Sequence, residues 1–260
     1  MISIHEKTLQ DIEFYTVLQQ VSDLCITDLG RTEALKIRPY ASKESVLQSL
    51  QFTNEYVSSF YNDNRIPNHG FEPITKEIKL LKIENSFLET KSFQKIASIT
   101  ITVTHILKFL KTFEEYYPSL YKSASSIEII AHLTSEIDAV IDRFGDVKDN
   151  ATSTLFQIRQ SINSVRGKIN QSFTSALNTY HNLDYLDDIR ESVVENKRVL
   201  AVKAMYRRKV KGSIMGSSKT GSIVYIQPET TFQYARELNN LEFEEQEEVD
   251  HILINLTEYV

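Results

Sequence analysis

A glycine-containing stretch, residues 209–228, raises the question of a phosphate-binding loop. Three of the seven glycines of the chain lie in it: Gly212, Gly216 and Gly221. It also contains Lys219 followed by Thr220, the pair that ends the P-loop motif GxxxxGK[ST]. The two glycines of that motif would fall at Ser218 and Ser213, and the stretch leads into a predicted strand instead of a helix. The pattern therefore favours a β-hairpin turn in which Gly216 and Gly221 supply unusual backbone angles.

Other catalytic and metal-binding patterns are weak. The six His residues are scattered and form no H-E-x-x-H pair, and Cys25 is the single cysteine. Asp184, Asp187 and Asp188 could hold Mg²⁺, but acids that precede a strand are more often a solvated turn. We therefore predict that this chain has no catalytic residue, no metal site and no cofactor of its own.

Positive charge is concentrated in one segment. No acid occurs between Asn196 and Pro228, whereas the formal net charge of the chain is −6. The segment holds eight basic residues: Lys197, Arg198, Lys203, Arg207, Arg208, Lys209, Lys211 and Lys219. Such a segment either contacts a phosphate backbone or balances the acidic stretch from Glu237 to Asp250. The predicted nucleic-acid contacts are Lys203, Arg207, Arg208, Lys209, Lys211 and Lys219, with the hydroxyls of Ser217 and Ser218 as further phosphate donors.

Long helices dominate the elements that must position these residues. Residues 6–60 read as three helices, with Thr27 or Asp28 and then Ser42 as N-caps. One helix over about 154–180 has a heptad seam, whose members are Leu155, Ile158, Ile162, Val165, Ile169 and Ala176. The final helix, from about residue 230 to 260, is its predicted antiparallel partner.

Between these two helices the hydrophobic period changes to two. "ESVVENKRVLAVKAMY" and "GSIVYIQP" read as strands of a small antiparallel sheet. The predicted fold class is mainly α: a multi-helix core and a long antiparallel two-helix (coiled-coil) arm that carries a small antiparallel β clamp at its tip. The predicted boundaries are 1–150 for the core, 151–183 and 229–260 for the arm, and 184–228 for the β-rich region.

The start of the chain shows no signal peptide, and no apolar run is long enough to span a bilayer. With one cysteine and no disulfide, the sequence predicts a cytoplasmic protein without a membrane partner.

Two regions resemble the second bacterial branch of the MutS proteins (MutS-II). The segment "RVLAVKAMYRRKVKGSIMGSSKTGSIVYIQPETTFQYAREL" is similar to the clamp-and-arm segment of that family, and "EKTLQDIEFYTVLQQVSDLCITDLGRTEALKIRP" is similar to its N-terminus. Gln227 replaces the usual Glu, Ile223 the usual Thr, and Lys219–Thr220 a small-residue–Ser pair.

The resemblance implies that this chain is the DNA-contacting clamp, lever and core of a longer homodimeric ATPase. It also implies that ATP and Mg²⁺ bind a domain outside this chain, and that a C-terminal Smr nuclease domain can follow. The implied roles are sequence-independent binding of branched or duplex DNA and suppression of recombination. Two alternatives stay open: a clamp of a ribosome-rescue factor that contacts rRNA, and a structural module in which Glu244 and Glu247 neutralise the basic segment.

Overall fold

The fold is mainly helical with one small antiparallel sheet after a long helix, which confirms the predicted fold class. The computed structural model describes residues 4–84, 86–130 and 132–260. The chain divides into two compact units, Met1–Lys148 with Leu253–Val260, and Asp149–Ile252. Each unit buries its own set of apolar side chains.

The regular secondary structure of the first unit is helical, apart from an isolated β-bridge between Ile141 and Val147. Its helices are α1 (Glu6–Asp11), α2 (Phe14–Leu24), α3 (Asp28–Lys36), α4 (Lys43–Ser58), α5 (Thr75–Leu80), α6 (Thr90–Thr112), α7 (Pro118–Ala124) and α8 (Leu133–Val140). The first predicted helix is split into α1 and α2, because Glu13 adopts a left-handed conformation with φ 55°. The predicted caps are present: Thr27 accepts the amide of Gly30, and Ser42 accepts that of Ser45.

A buried carboxylate joins α4 to α7. Glu55 is 6% exposed, and its oxygens accept the backbone N–H groups of Ser119 at 3.0 Å and Leu120 at 3.0 Å. These are among the N–H groups at the start of α7 that have no partner within the helix. Glu55 therefore supplies from another helix the capping that α7 lacks at its own N-cap, Tyr117.

Two long helices form the base of the second unit: α9 (Ser153–Asn182) and the larger part of α10 (Glu229–Tyr259). Their side chains meet in reverse order along the chain. Thr152 Oγ1 lies 2.7 Å from Glu248, Arg159 Nε 2.7 Å from Glu245, Arg166 Nη2 2.9 Å from Glu242, and Ser172 Oγ 3.0 Å from Thr231. The two helices therefore run antiparallel, and the acidic stretch of α10 pairs with α9.

The heptad seam of α9 accounts for part of its buried face. Leu155, Ile162 and Val165 are buried, whereas Ile158 and Ile169 are half-buried. Farther along, the buried face shifts to Phe173, which is 0% exposed and lies outside the predicted seam. Phe173 packs with the sheet, together with Ala176, Leu177 and Tyr180.

The sheet has four antiparallel strands in the order β1-β2-β4-β3: β1 (Leu186–Val194), β2 (Lys197–Lys203), β3 (Gly212–Ser217) and β4 (Ile223–Pro228). A 3₁₀ turn, Ala204–Tyr206, follows β2. The central strands β2 and β4 supply Leu200, Val202, Val224 and Ile226 to the core that Phe173 of α9 shares. Since Val199 and Ala201 are also 0% exposed, β2 is buried on both faces.

Two predictions for the segment around β1 and β2 need correction. "ESVVENKRVLAVKAMY" is a hairpin of two strands, turned at Glu195 and Asn196, whose φ angles are 49° and 62°. Such a pair of positive φ angles is typical of the tight turn whose twist suits a hairpin. The predicted acidic turn is also partly wrong, because Asp187 and Asp188 lie within β1 and only Asp184 precedes it.

The glycines of the opening stretch have different roles. Gly221 lies in the β3–β4 hairpin turn with φ 71°, which confirms its predicted function in the turn. Gly216 is instead a strand residue beside a register shift in β3, and its φ is not positive. Gly212 is required for close approach, since a Cβ there would lie 2.1 Å from the Gln227 carbonyl oxygen.

Candidate nucleic-acid interface

One end of the sheet collects several of the basic residues. Lys203, the last residue of β2, pairs with Ile223, the first residue of β4. The Ala204 amide donates to the Ser222 carbonyl at 2.9 Å, and the Lys203 amide donates to that of Tyr185 at 3.0 Å. Residues 203–209 and the hairpin 218–223 therefore share one end of the sheet, which we call the basic end.

Lys211 and Lys197 lie at the opposite end. Gly212 pairs with Pro228 where β4 leads into α10, and the Lys211 carbonyl accepts the Glu229 amide. Six residues of β3 separate Lys211 from the hairpin, about 20 Å at the usual strand rise. The predicted contacts therefore do not all lie together: Arg207, Arg208, Lys209 and Lys219 carry the charge of the basic end, whereas Lys211 is separated from Lys219 by β3 and its amide donates to Tyr180 Oη at 3.1 Å.

Two of the eight basic residues are paired within the sheet. Lys203 Nζ lies 2.9 Å from Asp184 Oδ1, and this hydrogen bond raises the pKa of Lys203 above its ordinary value. Arg198 Nη2 lies 2.6 Å from Glu191, and its guanidinium lies 4.3 Å from the ring centre of Phe173. These two cations are engaged in contacts within the second unit and are therefore less available to a ligand.

Three tyrosines brace the basic end. The Tyr185 ring stacks on Tyr206 at 4.5 Å and on Tyr180 at 6.3 Å, with interplanar angles of 20° and 22°. Lys209 Nζ lies 5.7 Å from the ring centres of both Tyr185 and Tyr206, within the range of a cation–π interaction. The stack joins the 3₁₀ turn to the last turn of α9 and to the residue before β1. Sequence analysis missed it because Tyr180 and Tyr185 precede the basic segment.

The remaining cations of the basic end are free. The side chains of Arg207, Arg208 and Lys219 are exposed and form no ion pair with any residue that the structure describes. The acidic stretch of α10 does not neutralise them, because Glu242 and Glu245 pair with arginines of α9. The pairing expected of a purely structural module, through Glu244 and Glu247, is not found among the described residues.

The two predicted serine donors differ. Ser218 Oγ accepts the Ile223 amide at 3.1 Å and contacts Thr220 Oγ1 at 3.3 Å, so it is engaged in the hairpin turn. Ser217 is exposed, and its hydroxyl has no hydrogen-bond partner in the described part of the chain. Lys219 and Thr220 lie between two strands, so they cannot begin the helix that a P-loop requires.

Neither metal-ligand clusters nor membrane-crossing elements occur in the described ranges. Within residues 4–84, 86–130 and 132–260, no three His, Cys, Asp or Glu side chains gather closely enough to hold a metal ion. Among the same residues, every helix is too short or too polar to cross a lipid bilayer. Of the acids considered for Mg²⁺, Asp184 is bonded to Lys203.

Comparison with known proteins gives one consistent set of relatives, although no family model matches the chain. Endonuclease MutS2 of Alkaliphilus oremlandii is 23% identical over 255 residues, which are 97% of this chain and 32% of that protein. The chain is similar to MutS2 proteins over nearly its whole length. Endonuclease MutS2 of Staphylococcus carnosus is 27% identical over 256 residues, covering 96% of this chain and 32% of that protein. Putative endonuclease MutS2 of Bacillus subtilis is 24% identical over 258 residues, covering 98% and 33%.

The similarity to these relatives covers more of the chain than the motifs that indicated the MutS-II resemblance. The similarity extends across the middle of the chain, where the motifs were absent and helical character alone was available. The chain spans about a third of the length of the curated relatives it matches. The expectation of a longer parent protein fits this partial coverage.

Proposed function

We propose that this chain is the DNA-binding clamp and lever region of a MutS2-type protein, and that its basic end grips the sugar–phosphate backbone. The observation that carries the proposal is the group of unpaired cations, Arg207, Arg208 and Lys219, on a braced end of the sheet. Lys209, held only over tyrosine rings, is a fourth cation that can reach a phosphate. Ser217 adds an exposed hydroxyl.

This arrangement favours binding that does not depend on base sequence. Phosphate contacts fix the position of a protein on DNA but carry no sequence information. Each phosphate that a lysine or arginine neutralises releases counterions, which lowers affinity as salt rises. The basic end presents charge and small polar groups, which suit contacts to phosphate oxygens.

In the whole protein, the antiparallel α9–α10 pair would carry the basic end. We propose that the parent is a homodimeric ATPase in which a nucleotide-driven change reaches the clamp through this lever, and that ATP and Mg²⁺ bind outside residues 1–260. The relatives are named endonucleases and are about three times as long as this chain, which supports an enzymatic parent with a nuclease activity outside this chain.

The test compares four substitutions at the basic end with a matched control. The variant Arg207→Ala, Arg208→Ala, Lys209→Ala, Lys219→Ala should bind a four-way DNA junction roughly tenfold or more weakly than the wild type at about 0.1 M salt. The control changes the same number of exposed lysines in the first unit: Lys76, Lys79, Lys82 and Lys122. Fluorescence anisotropy gives both affinities, and equal losses in the two variants would refute the proposal.

Ribosomal RNA is the second candidate ligand, since it presents the same phosphate groups. Competition between the labelled junction and an rRNA fragment separates the two ligands. Displacement of the junction by a lower concentration of rRNA than of unlabelled junction would favour the ribosomal alternative over DNA.

A further inference from the structure

Met205 is an apolar side chain in an unexpected place. It is 77% exposed, more than any other large apolar residue described between 149 and 252. It occupies the middle of the 3₁₀ turn Ala204–Tyr206 at the basic end. The neighbours on either side, Ala204 and Tyr206, are half-buried.

The turn that carries Met205 is held from both sides. The Ala204 amide donates to the Ser222 carbonyl at 2.9 Å, which ties the turn to the β3–β4 hairpin. The Arg207 amide donates to the Ala204 carbonyl at 3.3 Å, and the Tyr206 ring stacks on Tyr185. Because the backbone is fixed, Met205 can contact a ligand without a large cost in backbone ordering.

Cations follow Met205 in the chain and lie on the adjacent hairpin. Arg207 and Arg208 come directly after the turn, and Lys219 lies on the hairpin that is hydrogen-bonded to Ala204. A stable protein–protein interface buries more than about 1,000 Å² and has an apolar core. A single methionine beside arginines does not form such a core. Apolar side chains flanked by phosphate-binding cations are instead typical of wedges that enter DNA between base steps.

We propose that Met205 is an apolar wedge that enters DNA where base stacking is interrupted, as at a branch point, while Arg207, Arg208 and Lys219 hold the flanking phosphates. The inference rests on the proposed DNA-binding function and adds a residue that determines specificity. Unstacking a base step costs less where stacking is already broken, so the wedge favours junctions over continuous duplex. The cations contribute equally to the binding of junctions and of continuous duplex.

The experiment uses the 260-residue chain and two DNA probes, a four-way junction with 2-aminopurine at the branch point and a linear duplex of the same sequence. Met205→Gln keeps the length of the side chain but makes it polar, and Met205→Leu keeps it apolar. Met205→Gln should weaken junction binding about five- to tenfold and leave duplex binding within about twofold. Met205→Leu should retain the junction preference. The 2-aminopurine fluorescence should rise on binding of the wild type and Met205→Leu only.

The outcomes separate the wedge from the clamp. If the wild type binds neither probe at low salt, the proposed function fails and the wedge with it. If the wild type binds both probes but Met205→Gln keeps the junction preference and the fluorescence rise, the wedge is wrong and the clamp stands. Loss of the preference in Met205→Leu as well would also refute an apolar wedge.

Discussion

The packing of α9 against the sheet predicts a large effect of a single truncation. Phe173 is 0% exposed and packs with Leu200, Val202 and Ile226 of the central strands. Removal of a buried phenylalanine ring costs about 3–5 kcal/mol through lost burial and the cavity that remains. The Arg198 guanidinium over the ring is 41% exposed, so the lost cation–π contact adds about 0.5–1 kcal/mol. We expect Phe173→Ala to destabilise the second unit by about 4 kcal/mol.

The matched control is Phe156→Ala on the same helix. Phe156 is 45% exposed, so its truncation should cost less than about 1 kcal/mol. Hydrogen exchange measured by mass spectrometry reports each unit separately, which a single unfolding curve of a two-unit chain does not. Phe173→Ala should accelerate exchange in β2 and β4, while α4 and α6 of the first unit keep their protection.

The reasoning would be refuted in two ways. Equal exchange in β2 and β4 for Phe173→Ala and Phe156→Ala would show that the Phe173 ring does not support the sheet. Loss of protection first in α4 and α6 would show that the two units do not have separate cores.

Two further predictions concern the backbone of the sheet and the cap of α7. Gly212→Ala places a Cβ 2.1 Å from the Gln227 carbonyl oxygen and should destabilise the sheet by roughly 2 kcal/mol or more, whereas Gly216→Ala meets no atom within 4 Å and should be nearly neutral. Thermal unfolding of both variants checks the contrast, and a Gly216→Ala defect as large as that of Gly212→Ala would contradict it. Glu55→Ala leaves the half-buried N–H of Ser119 without its acceptor and should cost about 1–3 kcal/mol in urea denaturation. Unchanged exchange in α7 would show that this cap is unnecessary.

Hydrophobic periodicity predicted much of the fold because long helices and alternating strands repeat their pattern many times. The seam of α9 was visible in the spacing of Leu155, Ile162 and Val165, all of which are buried. Phe173 was missed, because the buried face of α9 shifts where its partner changes from a helix to a sheet. The hairpin at Glu195 and Asn196 was missed as well, since neither residue is glycine and their positive φ angles depend on the strands that flank them.

For the candidate site, the charge pattern located the basic segment but did not show which of its side chains are paired with carboxylates. Lys203 and Arg198 carry the same charge as Arg207 in the sequence, yet the fold pairs the first two with carboxylates from the turn before β1 and from β1. Lys211 lies at the Gly212–Pro228 end of β3, and Lys219 follows the other end of that strand. Only the strand register reveals this separation.

The salt dependence of DNA binding tests the central claim most directly. Four available cations at the basic end predict that log K falls against log salt with a slope of about −3.6, since each neutralised phosphate of B-DNA contributes about −0.9. The variant that lacks Arg207, Arg208, Lys209 and Lys219 should lose most of this slope, and the control lacking four lysines of the first unit should keep it. An unchanged slope in the first variant would contradict the account.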